Sequence, residues 1–236
     1  MSTDWTLVRD VIDRHKGNIA LYGPPGVGKS HAFLHHNGRP VTVQCHEGML
    51  ATDLFIGRMP RNGSMVNVPG PLAIAARDNK EILFQEIDRF SEECMSIVGM
   101  AADDVDTRVI AWAGDDDAMN EYHPTPPYRV LATLNKGPEA MTEALASRFM
   151  WIHVDEPAPE ALAGLPKHHQ EAARVLAGHP DQAQRVSLRS FRRHAQMLTE
   201  GFTAEQAARA CFGERWDSFI DADRLAGLVD QAMSDL

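Results

Sequence analysis

Ile19-Ala-Leu-Tyr-Gly-Pro-Pro-Gly-Val-Gly-Lys-Ser30 is the stretch on which the reading of this chain turns. A short apolar run ends at Gly23, and the spacing that follows, G-x-x-x-x-G-K-S, is a phosphate-binding loop of the Walker A type. Gly23, Gly26 and Gly28 permit turns closed to residues with a Cβ, so successive N–H groups can be aimed at a polyphosphate. Pro24, Pro25 and Val27 fill the positions between them. Lys29 is placed to reach the β- and γ-phosphates. Ser30 begins the next helix, where its hydroxyl can ligate Mg²⁺ and the helix N-terminus adds partial positive charge. A glycine turn without a ligand is the competing reading; an apolar strand before the loop and a helix over His31–His36 after it weigh against that.

Working outward, the chain of 236 residues, 44% hydrophobic, is long enough for one core plus a smaller companion domain. Its 23 basic and 33 acidic residues give −10 and a pI near 5.5, which disfavours coating nucleic acid through a broad basic face. Cys45, Cys94 and Cys211 are odd in number and contain no C-x-x-C, so neither a disulfide frame nor a zinc site is supported. No signal segment opens the sequence and no apolar run approaches the ~20 residues that cross a bilayer. The expectation is a cytoplasmic protein with no membrane association.

Trp5, Val8, Val11 and Ile12 recur at helical spacing after two capping candidates, Ser2 and Thr3, and predict a helix over 4–15. Val41–Cys45 reads as a second strand. The His35-His36 pair and Cys45-His46 lack a matched second pair, so solvated helix-end histidines and a strand residue are the favoured reading over metal. Residues 50–57 predict a short helix. Residues 58–69, centred on Asn62-Gly63, carry a hairpin-turn signal, with a plain loop excursion as the competing reading, and a helix restarts through Gly70-Pro71-Leu72.

Glu81-Ile-Leu-Phe-Gln-Glu-Ile-Asp88 has the form of a Walker B strand, with its acids at the carboxyl edge of a parallel sheet. Glu86 is positioned to polarise an attacking water. Gln85 stands where such strands carry Asp for the Mg²⁺ shell, and its amide reaches a metal-bound water without bringing charge. A strand over 106–114 leads to Asp115-Asp116-Asp117, read as a solvated turn rather than a cation site. Tyr128–Asn135 is a strand ending in an amide that can orient water against a γ-phosphate. A helix starts at Pro138, and Met150–Val154 is the fifth strand. From Pro157 the chain becomes alanine-rich and helical, with Leu188, Phe191, Ala195 and Leu198 on one face, and Leu225, Leu228, Val229 and Ala232 on another. Arg185, Arg189, Arg192 and Arg193 cluster on its central helix, the usual mark of a solvated face, with one member reaching a nucleotide as the alternative reading.

In order and spacing these motifs resemble the AAA+ ATPases, most closely the MoxR-type and dynein-related branch. The resemblance rests on Gly23–Ser30, on Asp53-Leu-Phe-Ile-Gly57 leading around a hairpin to Gly70-Pro-Leu72, on Ile82–Asp88, on Ala132-Thr-Leu-Asn135 and on Ser147-Arg-Phe149. It implies an α/β fold with a parallel five-stranded sheet of order 5-1-4-3-2 over 1–156, a helical lid over 157–236, and insertions near 58–69 and 106–127. It also implies Asn135 as sensor 1, Arg148 as an arginine finger acting on a neighbouring subunit, and Arg189, in Val186-Ser-Leu-Arg189, as sensor 2. ATP and Mg²⁺ are the implied cofactors. A homo-oligomeric ring, commonly of six, is the implied assembly, and a protein client or adaptor the implied partner. Gln85 and Ser147 depart from the family pattern, and Gln85 predicts slow or partner-dependent hydrolysis. A nucleic-acid motor or restriction-type ATPase and a nucleotide-gated scaffold are the alternatives; the acidic balance ranks the remodeller above the motor.

Overall fold

The computed structural model describes residues 3–113, 119–177 and 186–213. It divides into two compact units: the described residues of Met1–Trp5, Pro24–Lys29 and Val154–Leu236, and those of Thr6–Gly23 and Ser30–His153.

The second unit is built on short apolar runs. Helix α1 (Trp5–Arg14) leads to β1 (Ile19–Tyr22), and α2 (Lys29–Leu34) to β2 (Val41–Gln44). A 3₁₀ turn (Ala51–Leu54) opens the hairpin β3 (Ile56–Arg61) and β4 (Ser64–Pro69), after which come α3 (Pro71–Arg77), β5 (Ile82–Gln85) and α4 (Glu92–Ala101). A second hairpin, β6 (Ile110–Ala113) and β7 (Met119–Tyr122), precedes β8 (Val130–Leu134), α5 (Glu143–Ala146) and β9 (Met150–His153). The sheet order is β2-β5-β8-β1-β9, with every pairing parallel. Counting only its five strands in chain order, this is 5-1-4-3-2, the order the resemblance implied. Parallel sheets covered on both faces need uninterrupted apolar strands; all of β8 is buried, as are Ile82, Leu83 and Phe84 of β5. Alternate side chains of these strands, Ile82, Phe84, Val130, Ala132 and Leu134, join α3 and α4 in one core with Leu54, Leu72, Ile87 and Val98.

Several boundaries differ from expectation. Helix α2 starts at Lys29, not His31, and ends at Leu34. The helix expected over 50–57 is only a turn, because Ile56 and Gly57 already pair with Pro69 and Val68. Asn62 and Gly63 do form the hairpin turn, with φ of 51° and 80°, the doubly positive turn that suits hairpin twist. The strand expected over 106–114 shortens to Ile110–Ala113 and pairs with β7 outside the main sheet. Beyond Pro138 the helix is broken into a 3₁₀ turn and α5.

In the first unit, α6 (Pro159–Ala163), α7 (Lys167–Ala177), α8 (Leu188–Thr199) and α9 (Ala204–Phe212) pack around Leu162, Ala173, Leu188, Phe191 and Ala207. The expected α8 face gains a residue: His194 is buried, with its Nδ1 2.6 Å from His169 Nε2. Gly178, His179, Pro180, Arg185, the Asp115–Asp117 triplet and the helix expected around Leu225–Ala232 lie outside the described residues. No helix among the described residues is long and apolar enough to cross a membrane.

Candidate nucleotide site

The phosphate loop leaves the carboxyl end of β1 with φ of 143° at Gly23, 84° at Gly26 and 101° at Gly28. A Cβ on Gly26 would stand 2.9 Å from Ser187 Cβ and 3.1 Å from its Cα, so backbone strain and crowding both reserve the position for glycine. A Cβ on Gly28 would meet Ala158 Cβ at 3.3 Å. Val27 is buried and its carbonyl accepts from the Ala158 N–H at 3.0 Å. The loop is thereby seated on the residues that begin α6 and α8. Ser187 caps α8, its Oγ accepting from the Ser190 N–H at 3.2 Å, and Arg189 follows in the first turn, exposed. Lys29 is buried, its Nζ donating to the Pro24 carbonyl at 2.7 Å, and Ser30 sits in the first turn of α2. Pro25 is exposed at the loop's outer turn. A cradle of backbone alone, followed by a lysine and a serine at a helix start, fits a Mg²⁺-bound polyphosphate.

The carboxyl edges of β5 and β8 are neighbours in the sheet, with Gln85 in register with Thr133. Glu86 follows in the left-handed region at φ 56°, and its N–H donates to Thr133 Oγ1 at 3.2 Å. Thr133 is buried, and nothing in its sequence context distinguishes it from an ordinary strand residue. The Glu86 carboxylate accepts from Arg89 Nη1 at 3.0 Å. Asn135 stands exposed one residue past β8. Next to this edge, Cys45 is buried at the end of β2. Burial pushes its thiol pKa well above the usual value, and Cys94, Asp88 and Glu86 push it the same way, so it is a poor thiolate ligand or nucleophile. Among the described residues, no three His, Cys, Asp or Glu side chains gather as a metal site.

Arg148 is not brought to this edge. It ends the segment before β9, with Nε 3.5 Å from Asp103 Oδ1. Arg192 and Arg193 are exposed like Arg189, and Arg192 donates to the Ala161 carbonyl at 3.3 Å.

At the opposite, amino edge of the sheet, one expectation is overturned. His36 is not solvated: its side chain is 7% exposed, and Nε2 lies 2.8 Å from Glu81 Oε2, at an angle poor for a hydrogen bond. Glu81 Oε1 also accepts from Arg129 Nε at 2.7 Å, and Arg129 donates in addition to the Ile12 and His15 carbonyls at the end of α1. Burial raises the Glu81 pKa, but His36 and Arg129 outweigh it and hold the carboxyl below its usual value. His35 does stay exposed, its ring 3.8 Å from that of His31.

Residues 18–149 match the profile of the AAA domain, dynein-related subfamily. Protein NorQ of Paracoccus denitrificans is 26% identical over 235 residues, covering 91% of this chain and 84% of that protein. A solved structure of a candidate ATPase from Cytophaga hutchinsonii is similar with a TM-score of 0.48 and 20% identity. That similarity covers 78% of this chain, which spans about half (52%) of that one.

Proposed function

Because this chain belongs to the AAA+ ATPases, in the MoxR-type, dynein-related branch, we propose that it binds ATP with Mg²⁺ and works as a ring-shaped remodeller of a partner protein. The observation that carries this is the phosphate loop: three glycines at positive φ run directly into Lys29 and Ser30 at the start of α2.

In this reading the loop N–H groups and Lys29 hold the phosphates, and Ser30 offers its hydroxyl to Mg²⁺. When bound, the ion would supply neutralisation of phosphate charge. Gln85 would offer its amide to a water of that ion and add no charge. Glu86 accepts a proton from the attacking water, while Asn135 holds that water in line. Arg189 senses the nucleotide from the lid, residues 157–236. Arg148 reaches a neighbour's nucleotide; where fingers of this kind have been removed from other hydrolases the loss is roughly 10³–10⁵ in rate, so a lone subunit should be nearly idle. The β3–β4 hairpin, with Met59 and Met65 largely exposed and Arg58 and Arg61 on the same ribbon, is the surface offered to a protein client.

Titration with labelled ATP tests the reading: saturable binding is expected in the wild type, and Lys29→Ala should abolish it. A silent wild type would refute it. Gln85 gives weight to one second reading, a nucleotide-gated scaffold. ATP binding that drives assembly with no measurable turnover in the assembled state would favour the scaffold.

A further inference from the structure

Arg148 turns back on its own chain. Its Nη1 donates to the Ala144 carbonyl, one helical turn earlier, and its Nε, shut off from solvent, lies 3.5 Å from Asp103 Oδ1. The two residues come from distant segments, and their meeting is built. Buried Asn18 donates from Nδ2 to the Ala102 carbonyl at 2.7 Å and to the Arg148 carbonyl at 3.0 Å, while its Oδ1 accepts from the Val130 N–H at 2.9 Å. One side chain thus ties the residue before Asp103 to the backbone of Arg148. Asp103 is fixed from the other side as well. Its carbonyl accepts from Arg108 Nε at 2.9 Å and Nη2 at 2.5 Å, and that buried guanidinium lies 4.9 Å from the Tyr128 ring centroid. An aspartate anchored in this way stays in place when the arginine swings off.

We infer that Asp103 is a latch on Arg148. In the separate subunit it keeps the guanidinium folded along α5, and Arg148 acts on a neighbouring subunit's triphosphate only after leaving it. The inference rests on the reading of Arg148 as a finger acting in trans. The pair is made to be broken: both side chains are about a third exposed (32% and 38%) and the gap is long for a charged hydrogen bond. A triphosphate offers several charges against one carboxylate, so it wins the guanidinium once a neighbour presents it. Asp103 is therefore a positioning residue, setting when the cation is available.

Asp103→Asn keeps the size and removes the charge. At protein concentrations where assembly is half complete, ATP turnover per subunit should rise about two- to fivefold, the range an exposed ion pair of this kind supports, with KM for ATP unchanged. In an Arg148→Ala background the same substitution should change nothing, and Asp103→Glu should restore wild-type behaviour. The latch is also read without hydrolysis: the Arg148 Nε–H resonance of the nucleotide-free subunit should shift on Asp103→Asn. Turnover and resonance both indifferent to Asp103→Asn, beside an Arg148→Ala protein that has lost turnover, overturn the latch alone. Full turnover in assembled Arg148→Ala overturns the finger reading and the latch with it.

Discussion

Arg129→Met isolates what the amino edge of the sheet contributes. The Arg129 and Glu81 side chains are 6% and 7% exposed, joined by Nε at 2.7 Å and Nη2 at 2.6 Å. Methionine is close in length and fills the apolar path of the arginine stem, so the perturbation is chiefly electrostatic. It leaves Glu81 buried without a guanidinium partner, and it takes from the Ile12 and His15 carbonyls the donor that Arg129 supplies. Removing one member of a buried pair costs about 3–5 kcal/mol, against total stabilities of roughly 5–15 kcal/mol. At about 2 kcal/mol per molar urea, the midpoint should drop by roughly 1.5–2.5 M, read by far-UV circular dichroism. The double variant Arg129→Met/Glu81→Leu removes both charges and should recover most of that loss, because an apolar pair of similar volume is commonly as stable as the ion pair it replaces. A single variant that shifts the midpoint by less than about 0.5 M, or a double variant no better than the single, refutes the reasoning that an unpaired buried carboxylate is the penalty.

The same network makes the fold acid-sensitive. Glu81 is held below its usual pKa, so its contribution is complete above the unfolded carboxyl value, about 4.3, and is lost as pH falls through the folded one. Urea midpoints at pH 5 and pH 3 should therefore fall further for the wild type than for Arg129→Met/Glu81→Leu. For Gln85→Asp, steady-state phosphate release at saturating Mg·ATP should increase, since on the proposed reading the substitution adds a charge beside the bound Mg²⁺; a fast wild type that the swap leaves unchanged refutes slow hydrolysis. Gly26→Ala and Gly63→Ala both force a Cβ onto positive φ, 84° and 80°, but a Cβ at Gly63 meets nothing within 4 Å. Each should lose about 1–2 kcal/mol to backbone strain. Gly26→Ala should show the larger drop in melting temperature, and equal drops would remove the crowding against Ser187.

Local patterns made the sheet legible. Each main strand is a short apolar run closed by a polar or glycine residue, and the phosphate loop and Asn62-Gly63 carry turn chemistry in their residue types. The amino-edge partners were not legible, because Glu81, Arg129, Asn18 and His36 are polar residues beside apolar runs, most of them within longer polar stretches, the usual look of solvated ends. Their burial comes from α1 and α2 closing over the strand starts, which no window of sequence contains. The stretch 50–57 misled for a different reason: Leu50 and Leu54, like Ala51 and Phe55, stand at helical spacing, whereas long-range pairing of Ile56 with Pro69 decides the backbone. His194 was hidden by its own polarity, since the face it shares with Leu188 and Phe191 is completed by His169 from another helix.

Glu86 shows how the two kinds of information meet. Its place after an apolar run marks it from sequence as the candidate acid of the site, but a non-glycine residue at φ 56° carries about 1–2 kcal/mol of local strain. That conformation persists because neighbouring groups hold it. The buried Thr133 hydroxyl accepts the Glu86 N–H, and the Glu86 carbonyl accepts from the Arg89 N–H at 2.9 Å. Thr133 belongs to β8, the strand that delivers Asn135 two residues later. The acid and the amide are therefore not independent placements on adjacent strands: one buried hydroxyl sets the backbone of the first from the strand that carries the second, so a change in β8 register would move both together.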